Sequence, residues 1–296
     1  MTLNPKKCED NFYSLECSFA RHALERPDGR RKAQLFGALI PAGCASILDV
    51  GGGTGWSTVD VRRKCAVTTL DRTLASLLTG RGDRVLADAG YLPFRDRSFD
   101  LVLSSELLEH LAEPVFEKVR TEMARAAAKF LMISVPYREN LRARMVRCGY
   151  CGEVFHTDYH VRAFREQDLA VLFSGWTLGE WHVFGVLDEH AGTVSVSTFL
   201  RGDRRTPIAS EYTICPSCGR QGRAAGKHSA RISKLRRLVQ RLTTIARGRT
   251  PTLPDLLRCN QDFLPQGKAP YWVAALYMPH GSAMTIDGHV DNTALA

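Results

Sequence analysis

The chain has 296 residues, 44% of them hydrophobic and 24% charged, with 24 Gly and 13 Pro. These fractions exclude a collagenous, low-complexity or mainly disordered chain, and the length supports a large core without disulfide staples. The net charge of +9 is concentrated: Tyr212 to Pro254 holds ten Lys or Arg and no Asp or Glu, leaving a nearly neutral remainder. No apolar run is long enough for a membrane span, and the first ten residues lack the apolar stretch of a signal peptide. Nine cysteines without such a signal read as thiols or metal ligands, and the expectation is a cytoplasmic protein.

Ser14 to Leu39 has helical spacing broken at Pro27-Asp28-Gly29, which predicts two short helices. Ile47 to Val50 is a strand candidate ending in glycines, with a helical stretch expected after them. Further strand candidates are Cys65 to Leu70, Arg84 to Ala87, Phe99 to Ser104 and Phe130 to Val135, with Glu113 to Lys129 helical before the last. Strands alternating with helices predict a doubly wound, mostly parallel α/β sheet. Arg165 to Phe173 reads as a helix, Trp176 to Val186 as a sixth strand, and Tyr271 to Met278 as a seventh. The predicted organisation is a helical segment at 1–44, a Rossmann-like domain at 45–186, a basic insertion at 187–269, a closing strand at 270–280 and a tail at 281–296.

Asp49-Val50-Gly51-Gly52-Gly53-Thr54-Gly55 sets glycines between a strand and the expected helical stretch, permitting a tight turn and close approach of a ligand to the backbone. Asp71 ends the next strand, where a carboxylate can accept from both ribose hydroxyls of a nucleoside. A dinucleotide site or a solvated aspartate fits those residues as well.

With these motifs the sequence resembles the S-adenosylmethionine (SAM)-dependent methyltransferases of the Rossmann-like class, over Ser46 to Pro136. The glycine loop matches the family's D-x-G-x-G-x-G, Thr69-Leu70-Asp71 its acidic second strand, Ala87-Asp88-Ala89 its adenine-side segment, and Ser98 to Glu106 its fourth strand. The resemblance implies SAM as cofactor and a seven-stranded sheet. It implies contacts from Asp49, Gly51, Gly53, Gly55, Asp71, Arg72, Asp88, Ala89 and Ser105.

Glu106-Leu107-Leu108-Glu109-His110 follows the fourth strand, on the acceptor side in the family. On a helix Glu106, Glu109 and His110 share one face, and the spacing resembles a metal motif of some family members. The alternatives are His110 as a base for the acceptor, a metal site, or an acidic first helical turn. His160, in a stretch resembling bacterial methyltransferases with a cysteine knuckle after the fifth strand, is a second catalytic candidate.

Cys148-Gly149-Tyr150-Cys151 and Cys215-Pro216-Ser217-Cys218 are paired C-x-x-C knuckles, which predict a structural Cys₄ zinc site stapling the insertion between the sixth and seventh strands, with unmetallated cysteines or a redox pair as the alternatives. His156 and His160 are alternative fourth ligands. Ile232 to Ile245 sets an apolar stripe against arginines and lysines, read as a lid, a contact with an anionic lipid or membrane surface, or an RNA contact. The expected activity is methyl transfer to a small-molecule or glycan acceptor, at a hydroxyl, in the cytoplasm or at the inner membrane face. RNA methylation and a non-catalytic interaction module are the alternatives; nucleic acid is not the favoured partner, and oligomeric state is not readable.

Overall fold

The structure, a computed structural model, describes residues 27–80, 82–184, 209, 213–221 and 272–282. Its described residues form two compact units: Asn140–Tyr159 falls with 209 and 213–221 in one, and the rest in the other.

The larger unit is a seven-stranded sheet. Helix α1 (Pro27–Leu39) precedes β1 (Ser46–Val50), β2 (Ala66–Asp71), helix α2 (Leu74–Thr79), β3 (Asp83–Leu86) and β4 (Phe99–Ser105). Helix α3 (Val115–Ala126) runs directly into β5 (Ala127–Pro136). The short helix α4 (Glu166–Ala170) leads to β8 (Trp176–Phe184), and β9 (Trp272–Pro279) closes the sheet. Strand order is β3-β2-β1-β4-β5-β9-β8; β1 to β5 pair in parallel and β9 is antiparallel to both neighbours. The mostly parallel, doubly wound sheet is the expected one.

Near-continuous apolar strands are required because both sheet faces are covered. Successive residues alternate sides: Leu48, Val50, Val102, Leu131 and Ile133 pack with Phe116, Val119 and Met123 of α3. Ile47, Leu101, Leu103 and Met132 pack on the other face with Leu35, Phe36 and Leu39 of α1. Val50 and Ser104 are register partners in parallel strands, so both chains leave the sheet at one edge. Ligands of open α/β sheets bind at this carboxyl-terminal edge.

Two expectations need correction here. Pro27-Asp28-Gly29 does not separate two helices but opens α1, since proline's fixed φ and missing amide suit a first helical turn. The helix expected after the glycines is turns and one 3₁₀ turn, Val61–Arg63. Gly53 to Thr58 consists of Gly, Thr, Ser and Trp, all poorer helix formers than Ala or Leu.

The smaller unit holds the hairpin β6 (Met145–Arg147) and β7 (Val154–His156). The first knuckle, expected within the Rossmann-like domain, groups instead with the segment carrying the second. Val146, Cys148, Phe155, Ala209 and Cys215 share one buried cluster, which is the physical reason. Among the described residues no helix is long and apolar enough to cross a membrane. The basic stripe at Ile232 to Ile245 and the tail from Ala283 lie outside the described residues.

Candidate active site

The glycine loop is built around the Asp49 carboxylate. Asp49 is fully buried at the end of β1, and Thr58 Oγ1 donates to its Oδ2 at 3.0 Å. Its Oδ1 has no partner among the described residues. Burial pushes the carboxyl up to about 6. A Cβ at Gly52 would stand 2.4 Å from Asp49 Cγ, so only glycine lets the backbone wrap this closely. Gly53 differs: a Cβ there would meet nothing within 4 Å, so its backbone faces open space where a ligand can approach.

Asp71, at the end of β2, ties down that open turn. Its Oδ2 accepts from the Gly53 amide at 3.0 Å and its Oδ1 from the Thr73 amide at 2.7 Å. Burial raises its pKa, and these amide bonds work against that rise. The exposed Arg72 follows it. Asp88 is exposed after β3, with Oδ1 accepting from the Gly90 amide at 2.8 Å, and Ala89 is half-buried in the same turn. Ser105 ends β4, buried, its Oγ without a partner among the described residues. The predicted cofactor residues thus occupy the ends of β1, β2 and β4 and the turn after β3. An open glycine backbone, a carboxylate beside it and an unpartnered buried hydroxyl fit a nucleoside with an amino-acid tail, and SAM has that composition.

The acceptor-side segment departs from the expected helical face. Glu106 sits at φ 56° and only Leu108–His110 forms a 3₁₀ turn, so Glu106, Glu109 and His110 are not stacked at helical spacing. The side chain of Leu107 lies against Gly51, at 2.9 Å from where a Cβ would be, which joins this segment to the cofactor loop. Glu106 Oε1 accepts from Lys32 Nζ at 2.7 Å and its Oε2 from Trp272 Nε1 at 2.9 Å. Lys32 is 1% exposed, with its ammonium 5.0 Å from the Trp272 ring centroid and 5.9 Å from those of Trp56 and Phe36. Sequence reasoning missed Lys32 and Trp272, because no local spacing links positions that only the sheet topology unites.

A second cluster gathers around Glu109, which is wholly buried with neither carboxylate oxygen partnered among the described residues. Burial, and then the like charge of Glu106, push its carboxyl well above the usual range. His110 and His160 pack edge to face with ring centroids 4.8 Å apart, and His160 Nδ1 pairs with the buried Glu139 carboxylate. The Val161 amide donates to the Glu109 carbonyl at 2.8 Å, which fixes His160 beside the Glu109–His110 turn. The two predicted catalytic histidines therefore meet, although fifty residues separate them.

Residues 48–129 match the family model described as "Methyltransferase domain". Over that stretch the chain is similar to methyltransferase domains. No curated protein matches the sequence. Solved structures similar to it include a SAM-dependent methyltransferase from Thermotoga maritima at 16% identity, covering 90% of this chain and 98% of that one with a TM-score of 0.49. One from Archaeoglobus fulgidus shares 14% identity, with 88% and 98% covered and a TM-score of 0.48. A third is the Haloferax volcanii complex of the Trm112 methyltransferase activator with a methyltransferase, at 16% identity, with 62% and 86% covered and a TM-score of 0.46.

The matched methyltransferase domain ends before the knuckles, which belong to the smaller unit. Both knuckles fold alike. The Gly152 amide donates to the Cys148 carbonyl and the Gly219 amide to the Cys215 carbonyl, and each glycine has positive φ. The sulfurs of Cys148 and Cys218 are 3.6 Å apart, those of Cys151 and Cys215 3.5 Å, and all four lie within 4.8 Å. Those distances exceed a disulfide's roughly 2.05 Å. They suit four thiolates about 2.3 Å from one tetrahedral zinc, whose sulfurs would be roughly 3.8 Å apart. His156 and His160 are not in this set.

Proposed function

We propose that the chain methylates a hydroxyl group on a small molecule or glycan, which an anionic lipid can carry. The observation that carries this reading is the cluster of Glu109 and His110 after β4 with Glu139 and His160 after β5, joined to the cofactor loop through Leu107. A hydroxyl is a weak nucleophile until its proton is drawn away, and these groups supply that function.

When bound, SAM supplies a methyl already activated on a sulfonium. The work left to the protein is alignment and exclusion of water. In this reading the backbone of Gly51, Gly53 and Gly55 borders the methionine end, Asp71 accepts from the ribose, and Asp88 accepts from the adenine amino group. Arg72, Ala89 and Ser105 line the remainder, while Asp49 shapes the loop from beneath. His110 and His160 activate the acceptor hydroxyl. In the smaller unit Cys148, Cys151, Cys215 and Cys218 hold a structural zinc, with no coordination position left open.

The test is mass spectrometry of small-molecule and glycan panels incubated with methyl-labelled SAM. Label is expected on oxygen, with His160→Gln losing turnover while SAM affinity holds. Label found only on RNA, or turnover unaffected in His160→Gln and His110→Gln, overturns the reading.

A further inference from the structure

We infer that Lys32 is a positioning residue for the cofactor crevice, its ammonium bridging the chain segments that leave β1 and β4. In the order β3-β2-β1-β4 the chain turns to one side of β1 for β2 and to the other for β4, so the switch point of the sheet lies between β1 and β4. Open α/β sheets bind ligands in the crevice outside that point. Its two walls are Gly51 to Trp56 after β1 and Glu106 to Leu107 after β4. Lys32 reaches both: its Nζ is 2.7 Å from Glu106 Oε1 and 5.9 Å from the Trp56 ring centroid. Trp272, at the start of β9, has its ring centroid 5.0 Å from the ammonium and donates Nε1 to the other Glu106 oxygen at 2.9 Å.

The second observation is where this charge stands in α1. Lys32, Leu35, Phe36 and Leu39 fall at i, i+3, i+4 and i+7, the spacing of one buried helix face. The last three pack with Ile47, Leu101 and Leu103 of the sheet, and Lys32 is 1% exposed. Packing alone asks for an apolar side chain at that position. An ammonium withdrawn from water carries a desolvation penalty that an ion pair often fails to recover. Stability therefore does not account for the charge.

Geometry does. A carboxylate that accepts from an ammonium and from an indole N–H has a defined position, and Glu106 stands at φ 56° between Ser105 and Leu107. Holding Glu106 holds this turn, and Leu107 abuts Gly51 on the opposite wall. The inference deepens the proposed function and rests on SAM as the ligand of this crevice. Lys32 acts through Glu106 and Leu107, so its loss is expected in cofactor binding.

The test compares SAM affinity, by calorimetry without acceptor, with the denaturant midpoint of the full chain. Lys32→Met combined with Glu106→Gln removes both charges, keeps side-chain volume and leaves an amide oxygen for Trp272 Nε1. SAM binding should weaken at least tenfold while the midpoint stays level or rises. Lys129→Met breaks the 2.8 Å ion pair with Asp100 at the opposite edge of the sheet, and should leave SAM affinity within about twofold. If the double variant fails to fold, Trp272→Phe, which takes one bond from Glu106 and keeps an aromatic ring, should weaken SAM about threefold or more. Affinity like the parent's in either folded variant overturns the inference. So does affinity that falls only in step with the midpoint, or that falls equally in Lys129→Met. A parent that binds no SAM defeats the cofactor reading and the inference together. Lys32-dependent SAM binding with no label on oxygen leaves the inference standing and defeats the acceptor assignment.

Discussion

The described residues of the sheet unit and of the cysteine unit bring different chemistry together. In the first, two apolar layers cover both faces of seven strands, and α1 and α3 each contribute a full buried stripe. Among the described residues of the second, Val146, Cys148, Phe155, Ala209 and Cys215 share a buried cluster, two of them cysteines. Small folds are commonly stapled by a metal, and here four sulfurs lie within 4.8 Å of one another.

The largest effect should come from separating them by metal. Chelation, or Cys215→Ser, should release about one zinc per chain and make Asn140–Tyr159 protease-sensitive, while the far-ultraviolet signal of the sheet persists. Structural zinc sites contribute on the order of 10 kcal/mol or more to small folds. Metal analysis with limited proteolysis reads both; protection unchanged after metal loss would show that packing suffices.

Within the sheet unit the glycine loop sharpens the contrast. Gly52→Ala would force a Cβ into the Asp49 carboxylate and should lower SAM affinity at least a hundredfold, roughly 3 kcal/mol, by calorimetry. Gly53→Ala meets no atom in the protein; it should cost only about 1–2 kcal/mol of stability from its positive φ yet still impair SAM binding.

Asp49 predicts a pH dependence confined to the same unit. Its folded pKa, about 6, lies above the ordinary 3.8, so its contribution is fully present below about pH 4 and is lost as pH rises through 6. The loss is roughly 3 kcal/mol. Relative to the parent, Asp49→Asn should therefore gain about that much in denaturant stability between pH 4 and pH 7. A constant difference across that range would show that Asp49 titrates normally. A smaller effect is expected of Asp71→Ala, which removes charged hydrogen bonds and should weaken SAM by about 1.5–3 kcal/mol. Unchanged affinity in a folded variant would remove Asp71 from the site.

Local pattern carried the strands and the glycine loop, because a parallel sheet buried on both sides demands unbroken apolar runs such as Leu101-Val102-Leu103. It carried the knuckles as well, since C-x-x-C followed by glycine encodes its own turn. It misjudged Glu106 to His110, where helical spacing was assumed but Glu106 is left-handed, with its carboxylate held by Lys32 and Trp272. Those partners lie 74 and 166 positions away, and only chain topology brings them there. The meeting of His160 with Glu109 and His110 was hidden for the same reason, although each histidine stood out alone.

The antiparallel strand β9 also sets a timetable for folding. It pairs with β5 on one side and β8 on the other, so β8 has no place in the sheet until β9 arrives. On a ribosome adding about 5–20 residues per second, roughly 135 residues separate the end of β5 from the start of β9. For some 7 to 27 s the β5 edge, with Leu131, Ile133 and Val135, has no strand to bond. An unpaired apolar edge is a template for wrong pairing. Aggregation during synthesis should therefore respond more to substitutions that delay β9 than to equal losses of stability at the cofactor loop.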